Sequence, residues 1–182
     1  MKLEKYSFYH LYNRTNNREI AFRNNENYIY FLQKYRKYCS GFLDTLAYCI
    51  MPTHFHMLVY IKENYSKIQN QNIGLWLSTY CKAFNNQFSR HGNLFQQHTK
   101  ARNIDDKNYL LTVIAYIHQN PLRGKLVNTL DEWPYSSYLD LVGKRKGSLP
   151  DKKYIFEYFS TFKEFEDFSQ NMIKEIKTEY WF

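Results

Sequence analysis

His54-Phe55-His56 sets two imidazoles one residue apart, and further along the chain Tyr116 and Asn120 stand four residues apart. In a strand, side chains at i and i+2 leave the same face, so the two histidines could grip one metal ion. On a helix, i and i+4 share a face, so Tyr116 and Asn120 could meet that ion together. Two imidazoles, an amide oxygen and a phenol around a cation form a set suited to phosphodiester chemistry, with the phenol as nucleophile. Each residue also has a plainer use. A lone strand histidine is more often structural than a ligand, but two on one face directly after the Pro52-Thr53 break favour a metal site. A tyrosine at a helix edge more often covers core, and this chain holds 18 of them, so geometry alone leaves Tyr116 open between the two roles.

Those side chains need a sheet and a helix to carry them. Tyr6 to Tyr12 is rich in aromatics and reads as a first strand, ended by the polar turn from Asn13 to Arg18. From Glu26 to Tyr38, apolar residues recur at helical spacing until Ser40-Gly41 stops the pattern. Leu43 to Met51 and His54 to Ile61 flank Pro52-Thr53 too tightly for a crossover helix, so they should form an antiparallel hairpin. In the second of them, Phe55, Met57, Val59 and Ile61 share the face to be buried, and His54, His56, Leu58 and Tyr60 share the less apolar one. Ile73 to Ser89 reads as an amphipathic helix with Leu77, Cys81, Phe84 and Phe88 inward. Leu94 to Asn103 suggests a short fourth strand.

Asp105-Asp106 can cap a third helix, from Lys107 to about Gln119, which Pro121 should terminate. Its stripe of Leu110, Val113, Ile114 and Ile117 leaves Tyr116 and Asn120 to one side, at the edge between helix and sheet. Trp133 to Tyr138 is a compact aromatic turn, Lys144 to Ser148 reads as an exposed basic linker, and Asp151 to Thr178 as a helical tail. The mixture predicts an α+β domain with one central antiparallel sheet, helices packed mainly on one face, and a C-terminal helical extension. The expected division is residues 1–142 for the domain and 143–182 for linker and tail.

The bulk numbers narrow the classes. Hydrophobic content of 44% and aromatic content of 19% over 182 residues fit a folded domain rather than a disordered chain. Residues 1–150 hold 20 basic and 10 acidic side chains, and residues 151–182 hold 5 and 7. A basic body with a mildly acidic tail suits a polyanionic partner for the body alone, although many globular proteins are equally basic without one. Cys39, Cys49 and Cys81 show no CxxC spacing and leave one over, which points to a reducing cytoplasm. No apolar run approaches the length of a membrane span, and the first residues lack the apolar centre of a signal peptide.

Two segments resemble a known family. Tyr48-Cys49-Ile50-Met51-Pro52-Thr53-His54-Phe55-His56-Met57-Leu58-Val59 is similar to the histidine motif of single-tyrosine HUH transposases. Tyr116-Ile117-His118-Gln119-Asn120-Pro121-Leu122-Arg123-Gly124 resembles the tyrosine motif of REP-associated tyrosine transposases. Tyr12-Asn13-Arg14, Leu94-Phe95-Gln96 and Ser136-Ser137-Tyr138 also match family segments, so the likeness covers roughly residues 6–142. Thr53 stands where Asn is frequent, and Lys125 follows Gly124 where the family's Arg-Ala-Gly form is usual; neither is a proposed ligand.

The resemblance implies a ferredoxin-like HUH fold, with His54, His56 and Asn120 as ligands of a divalent ion (Mg²⁺ or Mn²⁺) and Tyr116 as nucleophile. It implies cleavage and rejoining of single-stranded, hairpin-bearing DNA through a 5′-phosphotyrosine link, by a monomer or a homodimer. That link conserves the phosphodiester, and the chain has no GxxxxGK[ST] loop for a nucleotide. Arg14, Arg18, Lys100, Arg102, Arg123 and the run Lys144, Arg145 and Lys146 are candidates for phosphate contacts. Trp76, Tyr80 and Trp133 could stack bases, though core packing is the better expectation for each. Two rival readings stand beside this one: a domesticated nucleic-acid binder that no longer cuts, and a phosphohydrolase in which water attacks and Tyr116 is structural.

Overall fold

In a computed structural model the described residues, 2–171, form a four-stranded antiparallel sheet with helices on both sides. The strands are β1 (Phe8–Arg14), β2 (Leu43–Met51), β3 (His54–Ile61) and β4 (Lys100–Ile104), in the order β2-β3-β1-β4. The longer helices are α1 (Asn25–Cys39), α2 (Asn70–Gln87) and α3 (Lys107–Arg123). Three short ones follow, α4 (Tyr138–Leu141), α5 (Lys153–Phe156) and α6 (Phe162–Gln170). No helix among the described residues is long and apolar enough to cross a membrane.

The alternation in β3 sorts the two faces. Phe55, Met57, Val59 and Ile61 are fully buried against α1 and α2. Leu58, on the opposite face, is also buried, in a second cluster with Val113, Ile114 and Ile117 of α3 and Phe165 of α6. The face carrying the histidines is therefore covered too, because Leu46, Ala47 and Leu58 offer it enough apolar surface to hold a helix.

Local details depart from the sequence pattern for identifiable reasons. β1 starts two residues later than expected and runs on to Arg14, because β3 offers a partner as far as His54. The inner face of α2 is Ile73, Trp76, Tyr80 and Phe84, not the stripe through Leu77 and Cys81, which are only half-buried. Trp76 and Tyr80 bring their own polar anchors: the indole N–H donates to Phe31 O at 3.1 Å and the Tyr80 hydroxyl to Ala21 O at 2.6 Å. Both are core residues and neither offers a face to a base; Trp133 is half-buried, with its indole N–H on Ile50 O.

β4 is confined to Lys100–Ile104, since residues 94–99 instead follow the end of β1, with Gln96 N donating to Arg14 O at 2.9 Å and His98 at a φ of 69°. Pro121 lies inside α3 rather than ending it. The helix closes one turn later, where Gly124 N reaches Asn120 O at 2.8 Å, so Asn120 is held in regular helix and not at a frayed end. The tail is two short helices broken around residues 157–161, and the part of the expected helix beyond 171 lies outside the described residues.

Candidate active site

Strand register assembles the site. Directly opposed residues share a face, and β1 sets Arg14 against His54 and Tyr12 against His56. On the other side of β1, Lys100 opposes Tyr12 and Arg102 opposes His10. One face of the sheet thus carries both histidines together with Arg14, Lys100, Arg102, Tyr12 and His10. Three of the residues singled out from sequence as phosphate contacts, Arg14, Lys100 and Arg102, share this face with the histidines through the pairing alone.

α3 supplies the rest. Asp106 caps it by accepting from Asn108 N at 2.8 Å and Tyr109 N at 3.3 Å, and its apolar stripe seats it over β2 and β3. This places the Tyr116 ring edge-on to His56, with centroids 5.7 Å apart. The His54 and His56 rings lie 5.1 Å apart at 88°. Asn120 Nδ2 donates to Tyr116 O at 2.9 Å, and the amide lies near enough to influence the titration of His54, His56 and Tyr116.

Sequence reasoning missed His10. Its Nε2 lies 2.9 Å from His56 Nδ1, both rings are fully buried, and they stack at 22°. The only signal available was its position on a strand, because the contact is diagonal across β1 and β3 and depends on their register. Thr53 Oγ1 sits 3.1 Å from His54 Nδ1 in the same way. With Nδ1 of each ring engaged, Nε2 is the nitrogen each could offer a cation, and outer partners of this kind commonly accompany ligating histidines.

Burial is the main influence on the titration of the site. It pushes His54 down to about 4, with Arg14 adding to the effect and Asn120 opposing it. It pushes His56 well down as well, helped by His10 and His54. Neutral imidazoles are the ligating form. Among the described residues no three His, Cys, Asp or Glu side chains form a metal cluster, and a cation between His54 and His56 would need a donor of another kind, for which the Asn120 amide oxygen is the candidate. Burial raises the Tyr116 phenol above its ordinary value, while the Arg123 guanidinium, 5.7 Å from the ring centroid, and the Asn120 amide pull it back.

Two comparisons bear on this arrangement. The chain is 30% identical over 120 residues to a Haemophilus influenzae protein named "Putative REP-associated tyrosine transposase", an alignment covering 59% of this chain and 66% of that one. The chain therefore spans just under two thirds of the length of its curated relative. In sequence the chain is similar to REP-associated tyrosine transposases. Its fold agrees: a solved REP-associated tyrosine transposase bound to a REP hairpin superposes with a TM-score of 0.63, over 85% of this chain and 93% of that one, at 16% identity. No family profile matches the chain.

The remaining basic candidates divide by environment. Arg18 is exposed beside Arg14, and Lys100 is exposed with its ammonium 5.8 Å from the Tyr12 ring centroid. Arg102 and Arg123 are half-buried. Lys144 pairs with Asp131 at 2.9 Å and Glu166 at 2.7 Å, and Lys146 is exposed. Arg145 is not part of an exposed linker. Its Nε and Nη2 hold both oxygens of the buried Asp140 carboxylate at 2.7 Å, and further bonds reach Pro134 O and Ser136 O. Gly147 N donates to the same carboxylate at 2.9 Å.

Arg145→Met leaves the Asp140 carboxylate buried with its main partner gone. The expected loss is on the order of 3 kcal/mol of stability, read from the urea unfolding midpoint. A shift of less than about 0.5 kcal/mol would show that Arg145 is available for other contacts.

A pH prediction follows from the neutral histidines. His10 and His118 are fully buried and pushed down to about 3, and His54 to about 4, chiefly by desolvation. In the unfolded chain each takes up a proton near pH 6.5. Between that value and the folded-state one, the unfolded state binds more protons, so stability rises with pH. Stability is expected to be flat above about pH 7 and to fall by about 1.4 kcal/mol per pH unit for each such histidine below about 6. Urea midpoints measured from pH 8 to pH 4 check this, and His118→Asn should flatten the profile.

Proposed function

We propose that this chain cuts and rejoins single-stranded DNA at hairpin-bearing sites through Tyr116, with a divalent ion as cofactor. The observation that supports the reading is the Tyr116 ring edge-on to His56 with centroids 5.7 Å apart, the His54 ring 5.1 Å from His56, and Asn120 one helical turn along α3 from Tyr116. A Mg²⁺ or Mn²⁺ ion held by His54, His56 and Asn120 would supply Lewis-acid polarisation of the scissile phosphate, with Mn²⁺ the better match to nitrogen ligands.

The chain's own residues do the rest. Arg123 and Asn120 favour the phenolate of Tyr116 against the cost of its burial. The phenol gives its proton to solvent, its oxygen forms a bond to phosphorus as the bond to the 3′-oxygen breaks, and the leaving 3′-oxyanion takes up a proton, so that DNA is joined to Tyr116 by its 5′-phosphate and the other fragment ends in a free 3′-hydroxyl. Reversal uses the same atoms in the opposite order, so joining needs no nucleotide. Arg14, Lys100 and Arg102 stand on the same sheet face and supply positive charge for the strand on either side. The thiols Cys39, Cys49 and Cys81 are unpaired with one another, which suits the cytoplasm, where such a substrate is met.

The nature of the ends tests the reaction. With Mn²⁺ and a hairpin oligonucleotide, the released 3′ end should be extended by a DNA polymerase, and the other fragment should migrate with the protein until protease is added and resist kinase labelling even after phosphatase treatment. A 5′ end that labels after phosphatase treatment alone would favour the phosphohydrolase, and binding with no cleavage would favour the binder.

A further inference from the structure

The turn after β1 adopts a backbone that its sequence does not favour. Asn17 and Arg18 have φ values of 52° and 55°. Asn tolerates this left-handed region, but at Arg18 the Cβ meets the following carbonyl, and such conformations persist only where the surroundings force them. Here they do. Thr15 N donates to Thr53 O at 2.8 Å, Thr15 Oγ1 to Glu19 O at 2.7 Å and Asn16 N to Leu94 O at 2.9 Å. Arg90 Nε and Nη2 both bind the Glu19 carboxylate at 2.8 Å, and the same guanidinium reaches Asn85 Oδ1 and the carbonyls of Gly92 and Asn93.

The result of this bracing is a cavity of about 230 Å³ lined by Arg14, Arg18, Thr53 and His54. Two guanidiniums, a hydroxyl and an imidazole face it, and no carboxylate does. Glu19, the acidic residue of the turn, is taken up by Arg90 and, at 3.6 Å, by Arg23. Arg14 is the cross-strand neighbour of His54, so the cavity adjoins the histidine pair. Two guanidiniums beside a hydroxyl, with no carboxylate among the lining residues, match phosphate oxygens.

We propose that this cavity is a phosphate subsite, which holds the phosphodiester next to the one presented to Tyr116 and so fixes the register of the single strand. The strained turn then has a purpose, because it spends backbone stability to aim Arg18 at the strand. This subsite rests on the single-stranded DNA reading above, so its test is read by binding and not by cleavage.

The experiment uses the full chain carrying Tyr116→Phe and a fluorescent single-stranded hairpin oligonucleotide. Each phosphate near the hairpin foot is replaced in turn by a neutral methylphosphonate. One position should cost the Arg18-containing protein about tenfold in affinity. Arg18→Gln should lose about the same, lower the salt slope by about 0.7, and lose nothing more at that position. Arg18→Gly should bind as weakly as Arg18→Gln yet unfold at a higher temperature, which separates lost contact from lost fold. Unchanged affinity in Arg18→Gln, or losses that add at every position, would overturn the subsite while leaving the tyrosine chemistry intact. Absence of any binding by the Arg18-containing protein would overturn the subsite together with the reading beneath it.

Discussion

Tyr116→Phe should abolish cleavage and joining, with a fall of at least about 10⁴-fold in rate. The substitution removes one oxygen atom. The ring stays, edge-on to His56 and beneath Arg123, and the helix register set by Val113, Ile114 and Ile117 is unaffected. Loss of the hydroxyl should cost at most about 1 kcal/mol, so the protein should fold and bind DNA normally. A purely structural Tyr116 would leave the rate within about tenfold of the original. Measuring rate and affinity on the same preparation separates the two: a large rate effect with unchanged affinity fits a nucleophile and no packing role. Residual cleavage at the original rate would transfer the attack to water.

His54→Ala should also cost about 10³-fold in rate, because a Lewis acid contributes several kcal/mol to a phosphoryl-transfer transition state. His54 is the better choice of the pair. It is half-buried at the end of β3, whereas His56 is fully buried, stacked on His10 and bonded to it, so truncation there also opens a cavity. The expected signature of His54→Ala is weakened Mn²⁺ binding, seen by titration against the free-ion resonance signal, with a thermal midpoint close to the original. Wild-type Mn²⁺ affinity in this variant would remove His54 from the ligand set.

The sequence carried different parts of this molecule to different depths. The β2–β3 hairpin was readable because Pro52-Thr53 leaves no room for a helix and because Phe55, Met57, Val59 and Ile61 keep period-two spacing along β3, with Leu58 the one apolar residue on the other face. The ends of α3 were less so. Asp106 announced the start, but Pro121 suggested a stop one turn too early, since its lost N–H is tolerated in the final turn. The inner face of α2 was misjudged by one residue, because hydropathy ranks Leu77 and Cys81 above aromatics whose polar atoms find partners in the core.

The site shows the same division. The pairs His54 with His56 and Tyr116 with Asn120 follow from spacing within one element, which a sequence displays directly. His10 and the convergence of Arg14, Lys100 and Arg102 follow from strand order and register, which local periodicity does not contain. Arg145 illustrates the converse. In sequence it belongs to a basic run; in the fold it neutralises a buried carboxylate.

The most direct test of the central claim is to find the atom that carries the DNA. A hairpin oligonucleotide incubated with the protein and Mn²⁺, then digested with nuclease and trypsin, should yield a peptide spanning residues 108–123 with a nucleotide attached, and fragmentation should place that nucleotide on Tyr116. A nucleotide on Tyr109 or on any other residue, or a cut strand with no modified peptide, would contradict it.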